Sequence, residues 1–400
     1  VTGSETGIMS VIKNFFKSDS RCRRKFLVNM GFKSLTGLMK FRKRSKNGEV
    51  FPAFQFISVT NDCNLHCQGC WVVVDGPKVY MDLSTMNSVI EAGKKKGSFF
   101  FGILGGEPLM HSQVPLLFEN HPDAYFQLFT NGTLFTKDFA IRLRRAANVT
   151  PLISFEGDEQ VADIRRRGHG IYNRTMKALR TSVSEGLITG AAISVCKSNI
   201  EMALSDDFVK MLHDLGVMYL WYYIYRPAGS SPNYDLALDG PDILRLRKFL
   251  VDGRTRLPMV LIDSYWHANG EPFCPAADGL SHHINPSGQI EPCPVIQLTR
   301  ENIHDGELIH IFENSEFLKD FKNEIHHKTK GCVFMEDPAW LKSFAEKHGA
   351  VNSSNRPGYL DDLTNAPVIA SHGSCPVIPE KSLIYRLAKK AAFFGMGAYG

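Results

Sequence analysis

The chain has 400 residues, of which 44% are apolar and 22% charged, and it carries a net charge of +5. This is the composition of a soluble protein with material for a large core. No run of about 18 apolar residues offers a membrane span, and Lys and Arg interrupt the early apolar stretches where a secretory signal needs continuity. Nine cysteines in this length are too few for a disulfide scaffold and imply a reducing, cytoplasmic setting.

The positive charge is concentrated at the start, where residues 1–50 hold twelve Lys and Arg against three Asp and Glu. Residues 8–45 read as two basic helices. Leu27, Met30, Leu35 and Leu38 form an apolar stripe at helical spacing, with Arg21, Arg23, Arg24 and Lys25 before it and Arg42, Lys43 and Arg44 after it. Two readings are open: a helix packed on the body of the protein with a solvated basic face, or peripheral contact with an anionic membrane or an acidic partner. The mild net charge makes little case for a nucleic-acid partner.

From residue 54 the pattern alternates strand and helix. Strands are expected at 54–60, 98–104, 125–130, 151–155, 190–197 and 218–225, with helices at 84–96, 114–120, 137–147, 171–185, 206–215 and 241–251. Such alternation predicts a parallel sheet with right-handed crossovers. Each expected strand ends in a polar signature, the place where α/β barrels keep their chemistry. After residue 255 the chain turns rich in Pro, Gly, His and Cys, and a boundary is placed there. Residues 349–374 read as a long polar loop, either a lid or a disordered link. A closing helix is expected over 381–394 with Ile384, Leu387, Ala391 and Phe394 on one face.

Cys63, Cys67 and Cys70 fall within eight residues. Three is odd and the loop is tight, which argues against disulfides. Zinc sites usually close with four ligands, and iron–sulfur clusters are normally held by four, so three thiolates would leave one iron open to a small chelating molecule. Gly105-Gly106-Glu107-Pro108 follows the second strand: bare backbone admits close approach and the carboxylate suits an ammonium group. Farther on, Cys274 and Cys293 flank an Asn-Pro-Ser-Gly turn at Gly288, read as a turn between two short strands, and Cys332 and Cys375 follow. The doublets His282-His283 and His326-His327 read as exposed loop residues. Cys196 reads as a buried apolar residue, and Cys22, among basic neighbours, would have a lowered pKa if exposed.

The cysteine spacing resembles the CxxxCxΦC loop of the radical S-adenosylmethionine (SAM) superfamily, with Gly69 at the usually aromatic Φ position and Trp71 just after the loop. Gly105-Gly106-Glu107 resembles the superfamily's GGE motif, which holds the methionine amino group. Asn131, in Thr-Asn-Gly after the third strand, and Ser154 and Arg167 around the fourth match segments that contact SAM. Arg226, at the sixth strand end, is a further candidate for binding a carboxylate or substrate. The Cys274–Gly288–Cys293 spacing resembles the opening of SPASM and twitch extensions, without their dense cysteine array.

The resemblance implies an α/β fold: a partial (β/α)6 barrel over 52–255, a basic helical segment over 1–51, a small cysteine-containing module over 256–380 and a C-terminal helix over 381–400. It implies one [4Fe-4S] cluster on Cys63, Cys67 and Cys70 that binds SAM. It also implies one auxiliary [4Fe-4S] cluster on Cys274, Cys293, Cys332 and Cys375. The expected activity is reductive cleavage of SAM to a 5′-deoxyadenosyl radical and hydrogen abstraction from a peptide or other natural-product precursor. The partner would be a one-electron donor such as flavodoxin or ferredoxin. The alternatives are a small or lipid-like substrate at a membrane surface, and a non-catalytic electron-transfer scaffold. Intact Gly105–Pro108 argues against the scaffold, which has no need of an ammonium-binding carboxylate.

Overall fold

The computed structural model describes residues 2–391. The expected strands form as β1 (Phe54–Ser58), β2 (Phe100–Leu104), β3 (Tyr125–Thr130), β4 (Val149–Ser154), β5 (Gly190–Val195) and β6 (Tyr219–Ile224). They pair in parallel and in sequence order, with a helix between each consecutive pair. β1 and β2 are buried along their whole length, as near-continuous apolar runs in a parallel sheet should be. The first crossover helix, Leu83–Lys95, starts at Asp82 rather than at the expected Ser84, because the Asp82 carboxylate accepts the Thr85 amide. Its apolar face, with Met86, Val89 and Ile90, joins the main core.

The sheet does not end where the composition changes. β7 (Val260–Ile262) adds in parallel beside β6, and β8 (Ser281–Ile284) adds in parallel beside β1, followed by antiparallel β9 (Ile290–Glu291). The order is β7-β6-β5-β4-β3-β2-β1-β8-β9. The boundary expected near residue 255 is therefore not a break in the sheet: chain from beyond it supplies both flanks of the barrel. His282 and His283 lie in β8 and are buried, not on an exposed loop. His283 Nε2 meets Ser58 Oγ at 2.7 Å and its Nδ1 meets the Glu291 carboxylate at 2.6 Å, while Trp71 packs edge-on against its ring.

Residues 349–374 are not a structureless link. They contain a two-residue strand at Val351–Asn352, the helix Tyr359–Asn365 and a short 3-10 turn at His372–Ser374. Tyr359 and Leu363 are buried in the core.

The N-terminal segment is helical at Thr2–Lys17 and again from Ser20 to Lys46, with a π-helical stretch at Phe26–Lys33. The wider π turn shifts the helical register, so the expected stripe splits: Met30 and Leu38 are buried whereas Leu27 is 58% exposed. Cys22 is buried too, and burial pushes its thiol up to about 12 instead of lowering it.

The C-terminal helix, Leu383–Ala391, turns a different face inward than the pattern suggested. Tyr385 and Lys389 pack against the barrel, while Ile384 and Leu387 are exposed; Phe394 lies outside the described residues. What draws Lys389 in is a buried charge network. Arg247 and Arg254 of the helix Gly240–Arg256 bond Glu380 at 2.8 and 2.5 Å, Arg254 also pairs with Asp263, and Lys389 reaches Asp263 at 3.1 Å and Glu380 at 3.3 Å.

A candidate cofactor site at the strand ends

The cysteine loop leaves the C-terminal end of β1 and is stitched to the turn after β2. The Gly106 amide donates to the Thr60 carbonyl at 2.7 Å and the Glu107 amide to the Asp62 carbonyl at 2.8 Å. The approach is so close that a Cβ on Gly105 would stand 2.6 Å from the Thr60 oxygen, and one on Gly106 2.6 Å from the Asp62 carbonyl carbon. Only glycine fits at either position.

Glu107 lies entirely inside the protein. Its carboxylate accepts from the Leu109 amide at 3.0 Å, Thr130 Oγ1 at 2.7 Å and the Asn131 amide at 2.7 Å. Burial nevertheless holds its pKa above the ordinary carboxylate value. The side chain therefore ties the turn after β2 to the turn after β3. Three of the roughly four acceptor positions of the carboxylate are thereby taken, and Oε2, with the Asn131 amide alone among these donors, keeps one for the ammonium contact expected from its type. Asn131 Nδ2 bridges onward to Asn64 Oδ1 at 3.0 Å, inside the cysteine loop.

A cavity of about 250 Å³ opens beside the loop, lined by Cys67, Cys70, Ser154, Glu156, Arg166, Tyr225 and Arg226 among others. Arg166, which the sequence reading missed, sits at Cys67 Sγ (3.6 Å) and pairs with Glu156 at 2.5 Å. Arg167, the predicted residue, is exposed, adopts a left-handed backbone (φ 49°) as the helix cap and donates to Ser231 Oγ at 3.0 Å. The cap turns residue 167 outward and leaves 166 on the inner face.

Gly69 also departs from expectation in an informative way. A Cβ there would run into the Tyr225 ring, whose Cζ stands 2.5 Å away. The aromatic missing from the loop is thus supplied from beyond β6, with the Arg165 guanidinium 4.9 Å over its ring. The same cavity is lined by Tyr223 and Arg226, whose Oη and Nη1 are buried and unpartnered. Unpartnered buried donors lining a cavity beside the cysteine loop suit a polar ligand such as SAM. Burial raises the thiols of Cys63 and Cys70 to about 11 and 12, so ligation there displaces protons, and Arg166 supplies compensating charge.

The second cysteine group lies on the other side of Arg226. Arg226 Nε contacts Cys332 Sγ at 3.2 Å. Cys274, Cys293 and Cys332 lie within electrostatic reach of one another; Cys274 is raised to about 11, mainly by burial. The charged neighbours of Cys375 are Arg247 and Lys248. Of the expected four-thiol set, Cys274, Cys293 and Cys332 act on one another electrostatically, while Cys375 sits on the turn of His372, its amide donating to the His372 carbonyl at 3.3 Å. Near this group stands His372. Its Nε2 bonds the Phe273 carbonyl at 2.9 Å, next to Cys274, and its neighbour Ser371 accepts the Cys332 amide at 2.9 Å. His372 Nδ1 is buried without a partner. Among the described residues no three His, Cys, Asp or Glu side chains are spaced to hold a single metal ion.

Residues 57–202, which carry the cysteine loop, the glycine turn and Arg166, match the family model described as Radical SAM superfamily. The chain carries a radical SAM domain. It is an enzyme, and the cofactors of this domain are a [4Fe-4S] cluster and SAM. It is 22% identical over 344 residues to an AdoMet-dependent heme synthase of Oleidesulfovibrio alaskensis, covering 76% of this chain and 88% of that one. It is 25% identical to the mycofactocin maturase MftC of Mycolicibacterium smegmatis, covering 66% and 71%. The fold matches Streptococcus suis SuiB, solved bound to precursor peptide SuiA, with a TM-score of 0.60 at 17% identity over 74% of this chain and 72% of that one. No helix among the described residues is long and apolar enough to cross a membrane.

Proposed function

We propose that the radical SAM centre is held by Cys63, Cys67 and Cys70 and works on a substrate placed between it and an auxiliary iron–sulfur centre on Cys274, Cys293, Cys332 and His372. The observation that carries this reading is the single cavity bounded on one side by Cys67 and Cys70 and on the other by Arg226, which touches Cys332. When bound, the cluster and SAM supply a 5′-deoxyadenosyl radical that takes a hydrogen atom from an unactivated carbon and leaves as 5′-deoxyadenosine.

The protein's part is placement. Gly105 and Gly106 let backbone approach the methionine end, with Glu107 fixing that turn from beneath. Asn131 steadies the cysteine loop. Ser154 lines the wall, and Tyr225 offers a ring to the adenine in place of a side chain at Gly69. Arg166, held by Glu156, balances the thiolate charge. On the auxiliary side, His372 Nε2 gives its proton to the Phe273 carbonyl, which leaves Nδ1 as the lone-pair ligand, the usual second-shell arrangement of a ligating histidine. Tyr223 and Arg226 face the substrate space and help exclude water, which would otherwise intercept the radical. A one-electron donor is the required partner.

Two substrate classes have support. A peptide is supported by the names of SuiB's partner and of the maturase. A lipid-like substrate at a membrane surface is supported by a specific feature of the barrel interior, developed below.

Anaerobic reconstitution should give about eight irons per chain, from two four-iron clusters. Incubation with SAM and dithionite should give 5′-deoxyadenosine. Replacing Cys63, Cys67 and Cys70 together by Ala should remove about four irons and all deoxyadenosine. Zinc retained in place of iron, or deoxyadenosine from the triple variant, would overturn the assignment.

A further inference from the structure

Below the cofactor cavity the barrel holds a second chamber, of about 570 Å³. Its walls are almost wholly carbon: Phe100, Met218, Trp221 and Ile262 from the sheet side, closed over by Phe15 and Met30 of the N-terminal helices. The polar side chains in the wall are turned onto one another, Tyr125 to Thr150 at 2.6 Å and Gln127 to Tyr219 at 3.0 Å. A chamber of this volume and lining suits a small-molecule ligand with a long apolar portion.

Two features say where that ligand comes from and where it leads. The chamber's mouth is formed by Ile12, Phe16 and Leu27, which line it and are also 43%, 65% and 58% exposed. Along the same helices Met9, Val28, Phe32 and Met39 are exposed as well, interspersed with exposed Lys13, Lys17, Arg24, Lys40, Arg42 and Lys43. Arg42 also bonds the Lys390 carbonyl at 3.1 Å, which joins this surface to the C-terminal helix with its exposed Leu383, Ile384 and Leu387. Apolar side chains among cations are what an anionic bilayer surface receives.

Inward, the chamber and the cofactor cavity share strands. Gln127 and Phe129 on β3, Thr150 and Ser154 on β4, and Trp221 and Tyr223 on β6 line the lower and upper spaces respectively, at even spacing and hence on one face of the sheet. The partition on β6 is a single stacked pair, Trp221 and Tyr223, with ring centroids 5.5 Å apart.

We infer that the chamber takes the hydrocarbon chain of a membrane lipid, entering past Ile12, Phe16 and Leu27 from an anionic bilayer, and presents it to the radical centre. This rests on the radical SAM reading above and names its substrate class. The chemistry asked of the lipid is the same: one C–H bond breaks homolytically and the hydrogen passes to the 5′ carbon.

The test uses the reconstituted full chain in three measurements. The fluorescent eighteen-carbon acid cis-parinaric acid should bind saturably, and Met218→Trp, which fills the chamber, should weaken it by at least about tenfold. The chain should sediment with phosphatidylcholine vesicles containing phosphatidylglycerol, less so as salt rises, and not with phosphatidylcholine alone. Ile12→Glu, Phe16→Glu and Leu27→Glu together, at exposed positions, should abolish sedimentation with iron content and circular dichroism unchanged. No saturable probe binding, equal binding by the filled variant, or a salt-insensitive dimer through this face with no vesicle binding would overturn the inference. If the wild-type chain still yields deoxyadenosine in any of those cases, the lipid assignment alone fails; if it yields none, the radical SAM assignment fails with it.

Discussion

Gly69 and Tyr225 can be made to report on each other. Gly69 has φ 68°, and a methyl group there would collide with the Tyr225 ring. Gly69→Ala should cost about 1–2 kcal/mol for the left-handed backbone and a further ~1–3 kcal/mol for overpacking. Tyr225→Ala removes a largely buried aromatic side chain and should cost about 3–5 kcal/mol. With both changes the backbone cost remains, but the collision has no partner. The double variant should therefore be less damaged than the sum of the singles, by about 1–3 kcal/mol. Denaturant unfolding of the four proteins, compared at constant slope, measures this coupling. SAM affinity gives a second readout: Tyr225→Ala should weaken it about 5- to 150-fold if the adenine stacks on this ring, while Tyr225→Phe should retain most of it. Strict additivity, within about 0.5 kcal/mol, would refute the claim that the ring fills the space of a side chain at residue 69.

Three further outcomes are expected. Glu107→Gln places an amide N–H against one of three inward-pointing donors; it should cost about 1–3 kcal/mol of stability and speed hydrogen exchange at the Asn131 amide, whereas a loss of SAM affinity with unchanged exchange would make the ammonium contact its main role. His372→Ala should alter the auxiliary cluster's electron paramagnetic resonance and redox potential while Cys375→Ala leaves both unchanged; the reverse pattern would return Cys375 to the ligand set. Lys389 is held down to about 8 by burial. The unfolded chain therefore binds more protons than the folded one above that pH, and stability attributable to this group should rise with pH from about 8 to 10.5 by about 1.4 kcal/mol per unit at most. Lys389→Met should remove this slope in melts taken across that range.

Six strands, their order and the two glycine and cysteine turns were legible in the sequence because each strand is a buried apolar run closed by polar residues. The short strands on either side of the Asn-Pro-Ser-Gly turn, β8 and β9, were legible too, but not the pairing of β8 with β1, and β7 was missed because it is only three residues long. Arg166 was missed for its neighbour because a left-handed cap, invisible to spacing, decides which of two adjacent arginines faces inward. The face of the C-terminal helix was misread for a different reason: hydropathy ranks Lys389 as a surface residue, and only the acceptors Asp263 and Glu380, far away in the chain, make its burial tolerable. Tyr225 carried a signal of sorts, since a glycine at a position that elsewhere holds an aromatic ring asks what else fills the space.

The pairing of β1 with β8 joins Phe54 to Ser281, 227 residues downstream. At a synthesis rate of about 5–20 residues per second, β1 would wait roughly 10–45 s on the ribosome with one edge unpaired. The cysteine loop hangs from that strand. Its permanent surroundings, including the Trp71–His283 contact, cannot assemble until the chain beyond residue 284 has emerged. A nascent chain halted before β8 would thus hold Cys63, Cys67 and Cys70 on a strand with an open sheet edge, which is an aggregation hazard, in place of a half-built enzyme.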